Sequence, residues 1–386
     1  MRPVTAPDRA AQTVTNPLYG SNRLKLGIFG SNLGGGCSAT LAARTPDATW
    51  AATREVAILA DRAGIEALVP VARWKGFGGA TEFNSASFET YTWAAGLAAQ
   101  TERIAVFSTS HVPTMHPIVA AKQATTIDHI SGGRFALNVV CGWFEPEFAM
   151  FGRPMLDHAT RYEHAAEWVE IVRRLWTCED EFDYEGRFFR IEKGVQQPKP
   201  IQKPSPPIMN AGRSGTGNRF AAKYADMVFT SFWETGDAGA RAQVAALRRL
   251  AREEFGRDIQ VWTTGFVLCR PTEKEARDEL RYVVDEKGDW EAIDNLIRQQ
   301  RVEDPDAPPE VQRARRRRLM TGWGGYPLVG PPERIADELI RMSSDGLDGI
   351  VVSWVNYRDE LPQFADEVLP LLEQAGLRER STRRTG

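Results

Sequence analysis

The chain has 386 residues, 42% hydrophobic and 26% charged, enough for one large domain or two medium ones with a sizeable core. A net charge of -3 gives no basis for nucleic acid or an anionic membrane as partner. Cys37, Cys141, Cys178 and Cys269 are far apart without CxxC spacing, which argues against a zinc site and a disulfide framework and fits a reducing compartment.

The first twenty residues carry no apolar core of signal-peptide length, and no apolar run is long enough to span a bilayer, so a cytoplasmic protein is expected. Flexible tails are expected over residues 1–23 and 378–386, with a single domain over 24–377. Strand-like apolar runs fall at 24–29, 67–71, 104–108, 135–140, 207–211, 227–230, 261–269 and 349–353. Helical patterns lie between them, at 87–100, 117–130, 163–176, 215–224, 238–255 and 331–344. In 163–176, for example, Ala165, Trp168, Val169, Val172 and Trp176 recur at three and four residues. Strands alternating with helices predict a (β/α)8 TIM barrel with insertions. A doubly wound open sheet is the rival, but no GxGxxG follows the first strand. Residues 183–192 read as a short hairpin. Residues 285–326 form a long charged insertion in the seventh β/α step, either a lid or a solvated surface insertion.

Ligands of parallel barrels sit at the carboxyl ends of the strands. Thr109 ends one strand and Asn138 lies near the end of the next, which makes them the first candidates for chemistry. Val71 to Phe83 (VARWKGFGGATEF) puts Arg73, Trp74 and Lys75 at a strand end, as either a surface loop or a pocket lining. Asn210 to Asn218 (NAGRSGTGN) opens a helix with small residues, as either a capped helix or a phosphate cradle, with Ser214 as the N-cap in both. Arg161 and Tyr162 open another helix, for capping or for the same phosphate. The five histidines show no HxH or HExxH spacing and there is no GxSxG, so hydrolysis is disfavoured and no metal is expected. His111 and His116 read as loop packing or helix capping.

Together these motifs resemble the bacterial luciferase-like flavin monooxygenases, over nearly the whole chain from residue 24 to 377. KGFGGATEF, TIDHISGGRFALNVVCGW and the pair Pro146 and Glu147 are similar to the pyrimidine monooxygenases. SGGR, GWFxxEF, LDHATRYEHAAEW, QQPKPIQKPSPP and LVGPPERIADELIRMSSDGLDGIVVS are similar to the dimethylsulfone and alkanesulfonate monooxygenases. The resemblance implies a barrel that takes reduced FMN from a separate NAD(P)H-dependent flavin reductase and activates O2 on it. The substrate it implies is a small sulfone or sulfonate, or a cyclic amide such as a pyrimidine, which is oxygenated and cleaved. It implies flavin contacts from Ala72, Arg73, Asn138 and Glu147, with Arg161, Tyr162 and Ser214 at the phosphate end. In the pyrimidine branch a Thr and an Asn on consecutive strand ends hold oxygen beside the flavin, and Thr109 and Asn138 fall on those positions. There Thr109 is expected to offer its hydroxyl and Asn138 an amide N–H. Trp74, Phe77, Trp143 and Phe144 are expected to wall the substrate, and a homodimer or homotetramer is implied. The chain departs from the alkanesulfonate pattern at Thr264, Phe266 and Thr321, where cationic partners of a sulfonate are missing; the Arg315 to Arg318 run either compensates from a folded lid or is a solvated face. Two alternatives stay open: a deazaflavin (F420)-dependent oxidoreductase on the same barrel, and a non-catalytic flavin-binding subunit.

Overall fold

The computed structural model describes residues 16–42, 47–212, 214–231, 235, 238–300 and 307–379. Its strands are β1 (Lys25–Phe29), β2 (Ala67–Val69), β3 (Ala105–His111), β4 (Phe135–Val140), β5 (Phe182–Glu185), β6 (Arg190–Gly194), β7 (Ile208–Asn210), β8 (Met227–Phe229), β9 (Gln260–Cys269), β10 (Tyr326–Gly330) and β11 (Gly349–Ser353). Parallel pairing runs β1-β2-β3-β4-β7-β8-β9-β11 and returns to β1, so the expected eight-stranded barrel closes. β5 and β6 are the expected antiparallel hairpin. β10 is a ninth strand absent from the sequence reading. It pairs with Gly265 to Cys269 of β9, whose first residues pair with β8.

Each strand sorts its side chains by the period of two. Along β3, Ala105 and Phe107 fill the barrel, while Val106 packs under the helices. Along β4, Ala136 points in, and Phe135, Leu137 and Val139 point out. By the same count Thr109, His111 and Asn138 face the barrel axis at its carboxyl end. The interior is filled by Trp262, Met209, Met227 and Phe229 among others. A Cβ at residue 349 would sit 2.5 Å from the Trp262 ring, so the bulk of that indole requires Gly349.

The helices Pro117–Ile130, Gly215–Tyr224 and Ala238–Phe255 fall where periodicity predicts them. After Ile130 the chain turns through Gly132 and Gly133, both at positive φ, and Arg134 then ties the turn to the carbonyls of Ala98, Thr101, Ile104 and Ser131. The termini are more fixed than a tail expectation allows. Pro17–Tyr19 form a 3-10 turn whose Leu18 is buried in the barrel interior, and Asn16 reaches the first residue of β4 from the amino end. An open barrel end needs an apolar plug, and Leu18 supplies it. Arg378 donates to Glu66 at 2.9 Å in a buried pair. Residues 1–15 and 380–386, the rest of the expected tails, lie outside the described residues.

The insertion expected over 285–326, which precedes β10, is largely helical where it is described. Trp290–Gln300 buries Ala292, Ile293, Leu296 and Ile297, and Pro309–Leu319 follows after residues 301–306, which lie outside the described residues. Asp289 carries the join to the barrel. Its carboxylate accepts from the Thr81 N–H and hydroxyl, both at 2.7 Å, and from the Ala292 N–H at 3.1 Å. Asn295 donates to the Phe77 carbonyl at 2.7 Å. The arginine run is occupied within the insertion: Arg316 grips Asp294 with two 2.8 Å bonds, Arg317 pairs with Asp285, and Arg318 donates to the Gly324 carbonyl.

Candidate active site

At the carboxyl end of the barrel β3 and β4 set Thr109 directly beside Asn138. The Thr109 hydroxyl donates to the Pro70 carbonyl at 2.6 Å, and Asn138 Nδ2 donates to Thr109 Oγ1 at 3.2 Å. Asn138 Oδ1 is buried and has no hydrogen-bond partner among the described residues.

Next to this pair lies a buried charged cluster. Arg73 follows β2, donates through Nε to the Ala72 carbonyl at 2.6 Å, and sets Nη2 3.3 Å from His111 Nε2. Its Nη1 is 3.6 Å from Glu147 Oε1, an ion pair too long for a hydrogen bond, and has no hydrogen-bond partner among the described residues. Glu147 accepts from the backbone N–H groups of Trp74 and Lys75 at 2.7 and 3.2 Å. His111 Nδ1 lies 3.5 Å from its other oxygen. Burial, reinforced by the charge of Arg73, pushes the His111 pKa down to about 3, so the imidazole is neutral. Burial also pulls Arg73 below its usual range, with Glu147 opposing that shift.

Four aromatic rings surround the guanidinium. Arg73 Cζ is 5.1 Å from the Trp143 ring centre, 5.6 Å from Phe144, 5.7 Å from Phe77 and 5.8 Å from Trp323. Phe77 and Trp143 stack at 6.0 Å and 5°. Trp323 is held in the left-handed region at φ 55, and its indole N–H donates to Asn84 at 3.0 Å. Asn84 in turn donates to the Gly36 carbonyl at 2.9 Å, joining three loops over the mouth.

A second group lies where β4 and β7 end. Ser214 caps the helix Gly215–Tyr224 by accepting from the Gly217 N–H at 3.0 Å. His158 Nε2 lies 3.2 Å from Ser214 Oγ. A Cβ at residue 212 or 217 would fall 2.8 or 2.6 Å from the Tyr162 hydroxyl, so glycine there keeps the helix start open to that phenol. Burial raises the Tyr162 pKa, which keeps it a donor. Arg161 donates to the Gly142 carbonyl and leaves Nε buried with no hydrogen-bond partner among the described residues. A helix N-terminus with this donor set suits a phosphate. Arg213, inside the same motif, lies outside the described residues.

The expected residues thus fall into two groups: Thr109, Asn138, Arg73, Glu147, Phe77, Trp143 and Phe144 in one, and Arg161, Tyr162 and Ser214 in the other. Ala72 contributes its carbonyl. Trp74 stands apart: the residue is 42% exposed, its ring packs on Phe151 at 5.2 Å, and its backbone N–H donates to Glu147. The expected Asn138 N–H is at least partly committed to Thr109, and its free atom is an acceptor. His116 caps the helix Pro117–Ile130, as one reading of the sequence has it. His111, Trp323 and Asn84 were missed as site residues. The signal for His111 was its place two residues beyond Thr109 on the same strand face. Among the described residues no three His, Cys, Asp or Glu side chains could hold a metal, and no helix is long and apolar enough to cross a membrane.

A closed parallel barrel whose strand ends hold buried polar atoms without a partner among the described residues, beside a helix start suited to a phosphate, is the frame of an enzyme that takes a phosphorylated cofactor. The chain belongs to the luciferase-like monooxygenase family, whose sequence profile matches residues 29–349. It is 31% identical over 327 residues to the FMNH2-dependent dimethylsulfone monooxygenase of Pseudomonas putida, spanning 83% of this chain and 87% of that one. It is 31% identical over 319 residues to the pyrimidine monooxygenase RutA of Acinetobacter baylyi, spanning 81% and 85%. Among solved structures, long-chain alkane monooxygenase LadA shares the fold at a TM-score of 0.81 with 20% identity, covering 94% of each chain. DmoA from Hyphomicrobium sulfonivorans does so at 0.79 with 21% identity, covering 92% of this chain and 89% of its own.

Proposed function

We propose that this chain is the oxygenase of a two-component flavin system, taking FMNH2 from a separate NAD(P)H-dependent reductase and using O2 to oxygenate and cleave a small organic substrate. The supporting observation is the set of buried polar atoms that have no hydrogen-bond partner among the described residues: Asn138 Oδ1, Arg73 Nη1 and Arg161 Nε. Buried polar atoms cost stability unless something pairs them, and a polar planar cofactor with a phosphate tail would pair these. The related dimethylsulfone and pyrimidine monooxygenases support a small sulfone or sulfonate, or a cyclic amide, as substrate. The resemblance further suggests a homodimer or homotetramer working in the cytoplasm.

In this reading Tyr162, Ser214, Arg161 and the helix start hold the phosphate, and Ala72, Arg73, Asn138 and Glu147 hold the ring and ribityl chain. Bound FMNH2 supplies the two electrons that make one atom of O2 transferable. Thr109 and Asn138 form a polar floor beneath that chemistry. Phe77, Trp143, Phe144 and Trp323 exclude water and give the substrate an apolar wall. Neutral His111 and Glu147 fix Arg73, so a cation is present without a mobile proton beside it. The test is anaerobic titration with FMNH2, then mixing with O2 in the presence of candidate sulfones and cyclic amides. Oxygen uptake coupled to product formation supports the proposal; the absence of FMNH2 binding refutes it.

A further inference from the structure

The hydrogen-bond direction at the strand ends is determined by one carbonyl. Pro70 O can only accept, and it lies 2.6 Å from Thr109 Oγ1. Two oxygens that close need a proton between them, so the Thr109 hydroxyl hydrogen lies on that line. Thr109 Oγ1 is then left with lone pairs only, toward Asn138. Whatever part of the Asn138 amide faces it must donate, which assigns the 3.2 Å contact to Nδ2. The amide cannot turn over without setting its oxygen against the oxygen of Thr109. Its Oδ1 is therefore held as a buried acceptor in the barrel mouth, with no partner among the described residues.

A fixed acceptor discriminates between ligands by whether they bring a hydrogen. Oxidised isoalloxazine carries an in-plane lone pair on the unsubstituted nitrogen of its central ring, and two-electron reduction places an N–H there. We infer that Asn138, locked by Thr109 and the Pro70 carbonyl, is a redox-state selector: its Oδ1 accepts from the N–H that FMN gains on reduction and meets a lone pair in oxidised FMN. The inference rests on the proposed flavin site and adds to it the reason the site takes the reduced form. It also makes Thr109 a positioning residue for cofactor choice, apart from any role toward oxygen. Leaving one buried acceptor unpaired corresponds to about ten- to a hundredfold in affinity.

The experiment is anaerobic titration of the full chain with FMNH2 and, separately, with FMN, together with the midpoint potential of the bound flavin. Wild type is expected to bind FMNH2 at least about tenfold tighter than FMN, raising the potential by about 30 mV for each tenfold ratio. Asn138→Leu removes the acceptor, and the ratio is expected to fall by about tenfold or more. Thr109→Val frees the amide to turn and is expected to lower the ratio as well, whereas Thr109→Ser keeps the hydroxyl and the ratio. The Thr109→Ser result separates selection from a general loss of the fold. Equal binding of both forms by wild type overturns the inference. So does an unchanged ratio in both Asn138→Leu and Thr109→Val, even if overall affinity drops. Failure of wild type to bind either form instead overturns the flavin reading of the site.

Discussion

His111 Nε2 lies 3.3 Å from Arg73 Nη2, and because a guanidinium only donates, the imidazole must accept there and carry its proton on Nδ1. That nitrogen faces Glu147 Oε2 at 3.5 Å, so the neutral ring bridges the cation and the carboxylate. The arrangement has a consequence in acid. The His111 pKa drops from 6.5 to about 3, chiefly through burial and then through the charge of Arg73. Below pH 6.5 the unfolded chain takes up a proton here that the folded chain refuses. Stability from this residue is thus complete above pH 6.5 and is lost as pH falls toward 3, by up to ~1.4 kcal/mol per pH unit. His111→Gln removes that slope. Urea denaturation of both proteins between pH 4.5 and 8 checks it: the wild-type advantage should be flat above neutrality and shrink in acid, and an advantage constant over the range counts against the assignment.

Asp289 tests whether the insertion is anchored as the contacts suggest. Asp289→Ala removes both Thr81 bonds and the cap on Ala292, at an expected cost of about 2–4 kcal/mol. Limited proteolysis should then cut within the insertion faster than in wild type. A loss under about 0.5 kcal/mol with unchanged proteolysis would show that the apolar packing of Ile293 and Leu296 is sufficient by itself.

The phosphate assignment predicts a contrast between FMN and riboflavin. Gly217→Ala puts a methyl 2.6 Å from the Tyr162 hydroxyl and must displace it. Affinity for FMNH2 should fall about tenfold or more, while affinity for reduced riboflavin barely changes. Equal losses for both would place the effect on the ring site instead.

Thr109→Ala leaves the Pro70 carbonyl without its donor and Asn138 without its acceptor. Turnover to product should fall on the order of 100-fold, as for loss of one fixed polar group at a reacting centre. Oxygen would still be consumed and would appear as hydrogen peroxide, measurable with catalase. Full coupling in both Thr109→Ala and Asn138→Ala would remove the pair from the chemistry.

Much of this was legible in the chain. The eight barrel strands were readable because each is a short apolar run bounded by turn residues, and Thr109 and Asn138 stood out as polar residues where such runs end. β10 was not, because Tyr326–Gly330 contains Pro327 and Gly330 and owes its pairing to the free edge of β9. The insertion hid behind its charge, although Trp290, Ile293 and Ile297 keep helical spacing. Trp323 reaches Arg73 only through a left-handed turn between glycines, a tertiary outcome that no local pattern announces. Trp74, at a strand end, is 42% exposed and packs its ring on Phe151, a direction that no local pattern announces.

The unequal use of β9 bears on how such a chain can change. β8 and β11 complete the circle with its first seven residues, and β10 borrows only the stretch from Gly265 onward. The insertion that leads into β10 is therefore joined to a stretch of β9 that the circle does not need in full. Lengthening, shortening or replacing that insertion would leave the closure of the circle untouched, so this part of the chain is free to vary while the barrel stays as it is.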